Sequence, residues 1–226
     1  MLLSLAKQLM QQLEQDYDVI APQFASTRQA AWPEFALLEA VLQPSQQLLD
    51  MGCGSGRLAE LAEKIKLHYT GLDFSANLLA LAQQRHSRQR FIQGSMLALP
   101  LVDHTFDVIT MIASLQHIPS LQLKIQCLDE AYRVSQPGAI LFMTNWNLHQ
   151  LRYQSYRANQ ADGFDDNDFL IPWKNDQGKI LAQRYYHGFT IPELASLLQQ
   201  TGWEPITQAY SSHQYNIVTL AKKVIV

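Results

Sequence analysis

The run LLDMGCGSGRLAELAEKI at residues 48–65 limits this chain more than any other stretch. An apolar segment leads into Gly52, Gly54 and Gly56, and a helical pattern follows at once. Closely spaced glycines let the backbone turn through conformations closed to other residues, and they leave backbone N–H groups open to a ligand. A strand joined to a helix by such a turn belongs in a doubly wound sheet. The spacing is G-x-G-x-G, not the G-x-G-x-x-G of a dinucleotide site. No Gly-Lys-Ser/Thr follows, which excludes a Walker phosphate loop. Asp50 stands two residues ahead of the turn. A carboxylate there repels a pyrophosphate and suits a ligand with a cationic amino-acid end. Asp73 ends the next expected strand. In a doubly wound sheet an acid at that position faces the ribose hydroxyls of an adenine nucleoside.

The rest of the pattern agrees with that fold. Strands are expected at 47–51, 68–73, 90–93, 106–112 and 139–145. They alternate with helices at 56–66, 75–86 and 121–134, and Ser75 is placed to cap its helix. Such alternation gives a parallel sheet wrapped by helices. A helix at 191–200 and strands at 203–210 and 214–224 close the chain, and the short polar turn between the strands makes the last one antiparallel. The expected fold class is α/β, doubly wound: a mostly parallel seven-stranded sheet with an antiparallel last strand, in a single domain over 1–226. Two parts lie outside the sheet. Residues 1–44 hold N-terminal helices and a lid. The first helix carries Leu2, Leu5, Leu9 and Leu13 on one face, a loop over 17–33 forms the lid, and Pro33 suits the first turn of a helix near 32–42. Residues 146–189 show weak periodicity and are read as an insertion over the active site.

Composition narrows the function classes. With 47% hydrophobic and 16% charged residues, the 226-residue chain can bury a full core. A net charge of -3 gives no bulk attraction to nucleic acid. Cys53 and Cys127 are far apart and belong to no Cys/His cluster, so no metal site is expected. Lys7 and Gln8 interrupt the first apolar run, so neither a signal peptide nor a membrane span is expected, and the cytoplasm is the expected compartment.

Taken together, LLDMGCGSG, YTGLDFS, FIQGSMLALP, FDVITMIASLQHI and AYRVSQPGAILFMTNW resemble the class I S-adenosylmethionine-dependent methyltransferases over about residues 45–146. The resemblance implies S-adenosylmethionine as cofactor, with Gly52, Gly54 and Gly56 beneath its methionine part and Asp73 on its ribose. It extends the expected cofactor contacts to Tyr17, Asp50, Cys53, Phe74, Met96 and Ala113. Ser95 stands where the family usually carries an aspartate that meets the adenine amino group.

Two further stretches bear on the acceptor. YDVIAPQFASTRQAAWP at 17–33, and DFLIPWK at 168–174 followed by RYYHGFT at 184–190, resemble the eukaryotic tRNA methyltransferases that esterify 5-carboxymethyluridine at the wobble position. The implied reaction is methyl ester formation on a carboxylate of tRNA. Those relatives work with a small zinc-binding activator subunit, which the resemblance adds as a candidate partner beside tRNA. A carboxylate with a pKa near ~4 is already ionised at neutral pH and needs a cation to place it rather than a general base. Arg28 and Arg184 are the expected cations, and His117 is an expected proton acceptor or hydrogen-bond donor. Arg28, Trp32, Trp173, Tyr186 and His187 are expected to contact the acceptor, since aromatic rings can stack a splayed base. Two other readings stay open: a methyltransferase for a metabolite or quinone-like ring, and a non-catalytic cofactor-binding subunit.

Overall fold

The computed structural model describes residues 1–27 and 32–224. Five strands come first in the chain: β1 (Gln47–Met51), β2 (His68–Asp73), β3 (Arg90–Gln93), β4 (Phe106–Ile112) and β5 (Ser135–Trp146). All five are parallel. Two more strands, β8 (Trp203–Tyr210) and β9 (Asn216–Lys223), complete one sheet in the order β3-β2-β1-β4-β5-β9-β8. β9 runs antiparallel to both of its neighbours. This is the doubly wound, mostly parallel seven-stranded sheet that the strand–helix alternation predicts.

The central strands read as continuous apolar runs because both faces are covered. Side chains alternate in direction along a strand. Leu48, Val108 and Phe142 therefore join one layer with Phe35, Leu38 and Leu58. Leu49, Ile109 and Leu141 point the other way, into a layer with Leu128 of α5 (Leu121–Val134) and Leu197 of α6 (Ile191–Gln200). The chain leaves β1 toward β2 and β3, then returns on β1's other side as β4. At that reversal a crevice opens beyond the carboxyl ends of the strands, the usual ligand site of such sheets.

The glycine turn lengthens the connection after β1, so α3 (Ala59–Ile65) begins later than the periodicity suggests. The N-terminal helix departs further from expectation. α1 runs unbroken from Leu3 to Thr27 with Pro22 inside it, so the first half of the expected lid is helix. Tyr17, Ile20, Ala21 and Ala25 continue the buried stripe begun by Leu13. Proline removes one helical hydrogen bond, which leaves the Asp18 carbonyl without its usual donor. Asn77 replaces that donor: its side-chain Nδ2 donates to the Asp18 carbonyl at 3.0 Å. Asn77 opens α4 (Ala76–Arg85), whose N-cap is Ser75 as expected, the serine hydroxyl accepting from Leu78 N. A short helix, α2, spans Phe35–Glu39.

Residues expected as an irregular insertion contain a hairpin, β6 (Asp168–Lys174) paired antiparallel with β7 (Ile180–His187). Its turn carries a clear signal: Asn175 Oδ1 accepts from Gln177 N and Lys179 N, and Gly178 takes a φ of +78°. Ala182 of β7 packs with Leu13 and Tyr17 of α1, which sets the hairpin and α1 side by side above the crevice.

Candidate functional site

The glycine turn after β1 forms the floor of the crevice. Gly52 sits at φ +77°, and a Cβ there would fall 2.6 Å from Ser114 Cβ. The Ser114 hydroxyl donates to the Met51 carbonyl at 2.8 Å, tying the turn to the loop after β4. Gly54 N donates to Asp73 Oδ2 at 2.8 Å, and Ser75 N donates to Asp73 Oδ1 at 2.9 Å. Gly56 is a correction. A Cβ there would meet His86, Ala82 and Phe91 at 3.2 to 3.3 Å, so this glycine lets α4 and β3 pack closely and does not face the crevice.

Above the turn lies a cavity of about 920 Å³, its open mouth included. Of the expected cofactor contacts, Tyr17, Asp50, Gly52, Cys53, Gly54, Asp73, Phe74, Met96 and Ala113 line it. Ser95 does not. Its hydroxyl accepts from Leu97 N and closes a local turn, so Met96 alone reaches inward. Asp50 reaches the wall, but Thr110 Oγ1 at 2.7 Å and Tyr69 OH at 2.9 Å donate to its two oxygens. Burial pushes the carboxyls of both Asp50 and Asp73 up to about 6 against the hydrogen bonds that favour their ions. Ala113 takes a left-handed φ of +53°, held by hydrogen bonds from its N–H to the carbonyl and hydroxyl oxygens of Thr144. Left-handed backbone at a non-glycine residue is a strain found at binding and active sites.

Three elements meet over the cavity in one hydrogen-bonded chain. His117, just after β4, has Nδ1 2.9 Å from the Tyr185 carbonyl and Nε2 3.0 Å from the Tyr17 hydroxyl. A carbonyl only accepts, so Nδ1 carries the proton and Nε2 accepts from Tyr17. Arg184 Nη1 in turn donates to the Tyr17 oxygen at 3.4 Å. Burial, and to a lesser extent the charge of Arg184, lower the His117 pKa to about 3. His117 is neutral, and its lone pair is spent on Tyr17.

Arg184 is only 3% exposed. Its guanidinium carbon lies 4.9 Å from the Trp173 ring centre, 5.2 Å from that of Tyr186 and 5.8 Å from that of Tyr17. Its Nε has no hydrogen-bond partner, and no carboxylate among the described residues forms a salt bridge with it. The opposing charge it feels is that of Asp16, which makes no salt bridge with it, and a buried cation not directly paired is costly and draws in an anion. Arg184 and Tyr186 line the cavity.

Strand alternation sends Tyr185 and His187 to the opposite face of β7. There His187 binds Asp168 through Nδ1 at 2.9 Å and Glu193 through Nε2 at 2.7 Å. This corrects its expected contact with the acceptor, because His187 belongs to a separate hydrogen-bonded cluster away from the cavity. Trp32 lines the cavity beneath the Arg57 guanidinium at 4.7 Å. Trp173 stands behind Arg184 and donates from Nε1 to Gln23 at 3.1 Å. Arg28 lies outside the described residues. Sequence reasoning missed Gln116 and Trp146. Gln116 Oε1 accepts from Trp146 N at 2.6 Å, while its buried Nε2 has no partner. The signal available was the polar pair Gln116–His117 within the apolar run that leaves β4. Among the described residues no helix is long and apolar enough to cross a membrane, and no His, Cys, Asp and Glu group is arranged to hold a metal.

Residues 49–143 match the methyltransferase-domain family. The demethylmenaquinone methyltransferase of Lactiplantibacillus plantarum is 31% identical over 211 residues, covering 84% of this chain and 86% of that protein. The tRNA (carboxymethyluridine(34)-5-O)-methyltransferase of Arabidopsis thaliana is 31% identical over 134 residues, covering 59% of this chain. The chain spans about a third of that plant protein, and about half of a malonyl-[acyl-carrier protein] O-methyltransferase that it also matches. Among solved structures, an S-adenosylmethionine-dependent methyltransferase of Methanosarcina mazei superposes with a TM-score of 0.72 at 24% identity, over 87% of this chain and 99% of that one. A methyltransferase of Haloferax volcanii, solved in complex with the Trm112 activator, superposes with a TM-score of 0.71 at 13% identity, over 95% and 98% of the two chains.

Proposed function

The chain belongs to the S-adenosylmethionine-dependent methyltransferases, and from that premise we propose that it methylates a carboxylate, that of a modified wobble uridine in tRNA, to form a methyl ester. The observation that carries this reading is Arg184, a buried cation at the wall of the cofactor cavity that no described carboxylate meets in a salt bridge, Asp16 acting on it only from a distance. A carboxylate fits a guanidinium in a bidentate manner.

The cavity's own groups fit the cofactor. Each Asp73 oxygen accepts one backbone hydrogen bond and keeps a lone pair for a ribose hydroxyl. The unpartnered Gln116 Nε2 offers a donor. Gly54 leaves room, since a Cβ there would approach nothing closer than Phe24 at 3.7 Å. When bound, S-adenosylmethionine supplies a methyl group on a positively charged sulfur. This chain's work is positioning. Arg184 would hold the acceptor carboxylate in place for that methyl group, and Tyr17 and Phe74 would cover the cavity and exclude water. No proton moves, so no base is needed, in keeping with a neutral and engaged His117.

A second reading rests on the stacked walls of the cavity, where Trp146 and Tyr186 lie 5.2 Å apart at 22°. Such walls suit a planar ring, and the demethylmenaquinone methyltransferase relative supports a quinone-like acceptor. Labelled cofactor offered to total tRNA and to quinone precursors separates the two. The first reading expects label on tRNA that mild alkali releases as methanol, and label on a quinone ring that resists alkali overturns it. A Trm112-type activator belongs to the first reading, whose tRNA activity should then rise when the activator is added.

A further inference from the structure

A run of rings leads out of the cavity to the surface. It starts with the stacked pair Tyr186 and Trp146 and continues to Tyr153, which stacks on Trp146 at 6.3 Å and 27°. The Arg152 guanidinium carbon then lies 4.7 Å from the Tyr153 ring centre and 4.8 Å from that of Tyr215. His213 ends the run, 5.7 Å from Tyr215.

The inner end of this run is closed and the outer end is open. Tyr186 is 1% exposed, whereas Tyr215 is 51% exposed, and Arg152 and His213 are exposed as well. Arg152 forms no salt bridge among the described residues, in contrast to Arg133, which Glu130 and Asp103 hold. The platform is also fixed in place. Asn147 N donates to the Tyr215 carbonyl at 2.9 Å, and Asn147 Nδ2 donates to the Gln214 carbonyl at 3.0 Å, so the β8–β9 turn is tied to the end of β5. Exposed rings interleaved with an unpaired guanidinium on a rigid frame are the features that bind unpaired bases and their phosphates. A protein with a net charge of -3 has no general attraction for nucleic acid, so binding must come from such a local surface.

We propose that this ladder is a docking track for single-stranded RNA. An unpaired base beside the acceptor nucleotide stacks on the exposed Tyr215, Arg152, held over both the Tyr215 and Tyr153 rings, turns its edge to the phosphates, and Trp146 guides the acceptor base into the cavity. The proposal rests on the tRNA reading above and adds a surface to it.

The test uses the full chain and a short, fluorescent, unmodified oligoribonucleotide, followed by anisotropy at low salt. The RNA carries no methyl-accepting carboxylate, so its binding is independent of the reaction. Tyr215→Leu and Arg152→Gln should each weaken binding by roughly tenfold, the loss expected when one base loses its stacking partner. Tyr215→Trp should bind as well as the parent or better. All three variants should keep the parent's affinity for S-adenosylmethionine, which shows that the fold is intact. A parent protein that fails to bind the RNA, or a Tyr215→Leu protein that binds it equally well, overturns the track. Esterification of tRNA by Tyr215→Leu with an unchanged KM overturns it too and leaves the acceptor reading standing. Oligoribonucleotide held in a Tyr215-dependent way, together with total tRNA that takes no alkali-labile label from the cofactor, supports the track and removes the acceptor reading alone.

Discussion

Asp73 accepts backbone hydrogen bonds on both oxygens, yet burial holds its pKa at about 6 against an ordinary 3.8. The folded chain thus binds this proton more tightly than the unfolded chain. The stability it contributes is full below pH 3.8 and is lost as pH rises through about 6. Ribose hydroxyls, by contrast, are best bound by the ion. Cofactor affinity should therefore be level above pH 7 and fall by roughly tenfold per pH unit below about 6. Asp73→Asn should weaken binding by about 2 kcal/mol at pH 8 and remove that pH dependence. Calorimetric titrations across pH decide this, and a mutant that keeps the parent's affinity at pH 8 removes Asp73 from the ribose. Arg184 makes the complementary case. Arg184→Lys keeps the charge but loses the planar fork, so kcat/KM should fall at least tenfold while cofactor affinity holds. With cofactor saturating, the pH profile of kcat should stay flat from about 7 to 9, above the titration of Asp50 and Asp73, since no base takes part in the reaction; an inflection near pH 8 would show that a titrating base takes part. The place of Asp73 in the cavity wall was legible in the sequence because it ends a strand beside the turn, where the fold opens its crevice. His187 was misplaced because strand alternation sends it with Tyr185 to the face away from the cavity, which Arg184 and Tyr186 line, and composition does not show that register.

Among elements, the join between α1 and α4 is the least expected and the most open to test. Pro22 lies in the stretch expected as a loop, yet the helix runs through it to Thr27. The helix continues because Tyr17, Ile20, Ala21 and Ala25 bury one stripe, and because Asn77 supplies the hydrogen bond that proline cannot. Asp18 adds to the join, its carboxylate accepting from the Ser75 hydroxyl and from Asn77 N at the start of α4, where the helix dipole favours an acid. Asn77→Ala should cost about 1 kcal/mol in chemical denaturation. Pro22→Ala restores an N–H that can reach the Asp18 carbonyl, so the two substitutions should be coupled, with Asn77→Ala costing less in the Pro22→Ala background. Strict additivity would mean that the Asn77 amide does not stand in for the proline. The sheet itself was legible almost throughout, since β1, β2, β3, β4 and α5 have strong periodicity and clear stops. The β6–β7 hairpin was not, although Asn175 and Gly178 mark its turn, because its strands mix polar and aromatic residues for two different surroundings. Its inner face serves the cavity, and its outer face serves the Asp168–His187–Glu193 cluster.

At the scale of the molecule, the cavity is roofed by parts far apart in the chain, and Tyr17 is where they meet. Its hydroxyl donates to His117 from the sheet side and accepts from Arg184 of the hairpin, while its ring packs edge-on to Phe24 and Phe74. No local pattern reveals such a contact, because it depends on how α1 and β7 pack over the sheet. A cofactor that lies beneath Tyr17 must displace this roof to enter or leave, and the roof's hydrogen bonds set part of that barrier. Tyr17→Phe keeps the ring and removes both bonds, leaving His117 Nε2 without its donor. A net loss of about 1 kcal/mol for each of the two bonds predicts that cofactor dissociation quickens by roughly thirtyfold. Hydrogen exchange should rise in the second half of α1 and in β7 but not in β1 or β4, because only the roof loosens. Stopped-flow release of the cofactor together with exchange mapping tests both halves. Unchanged release and exchange would place the way in elsewhere, and α1 would then be a fixed wall.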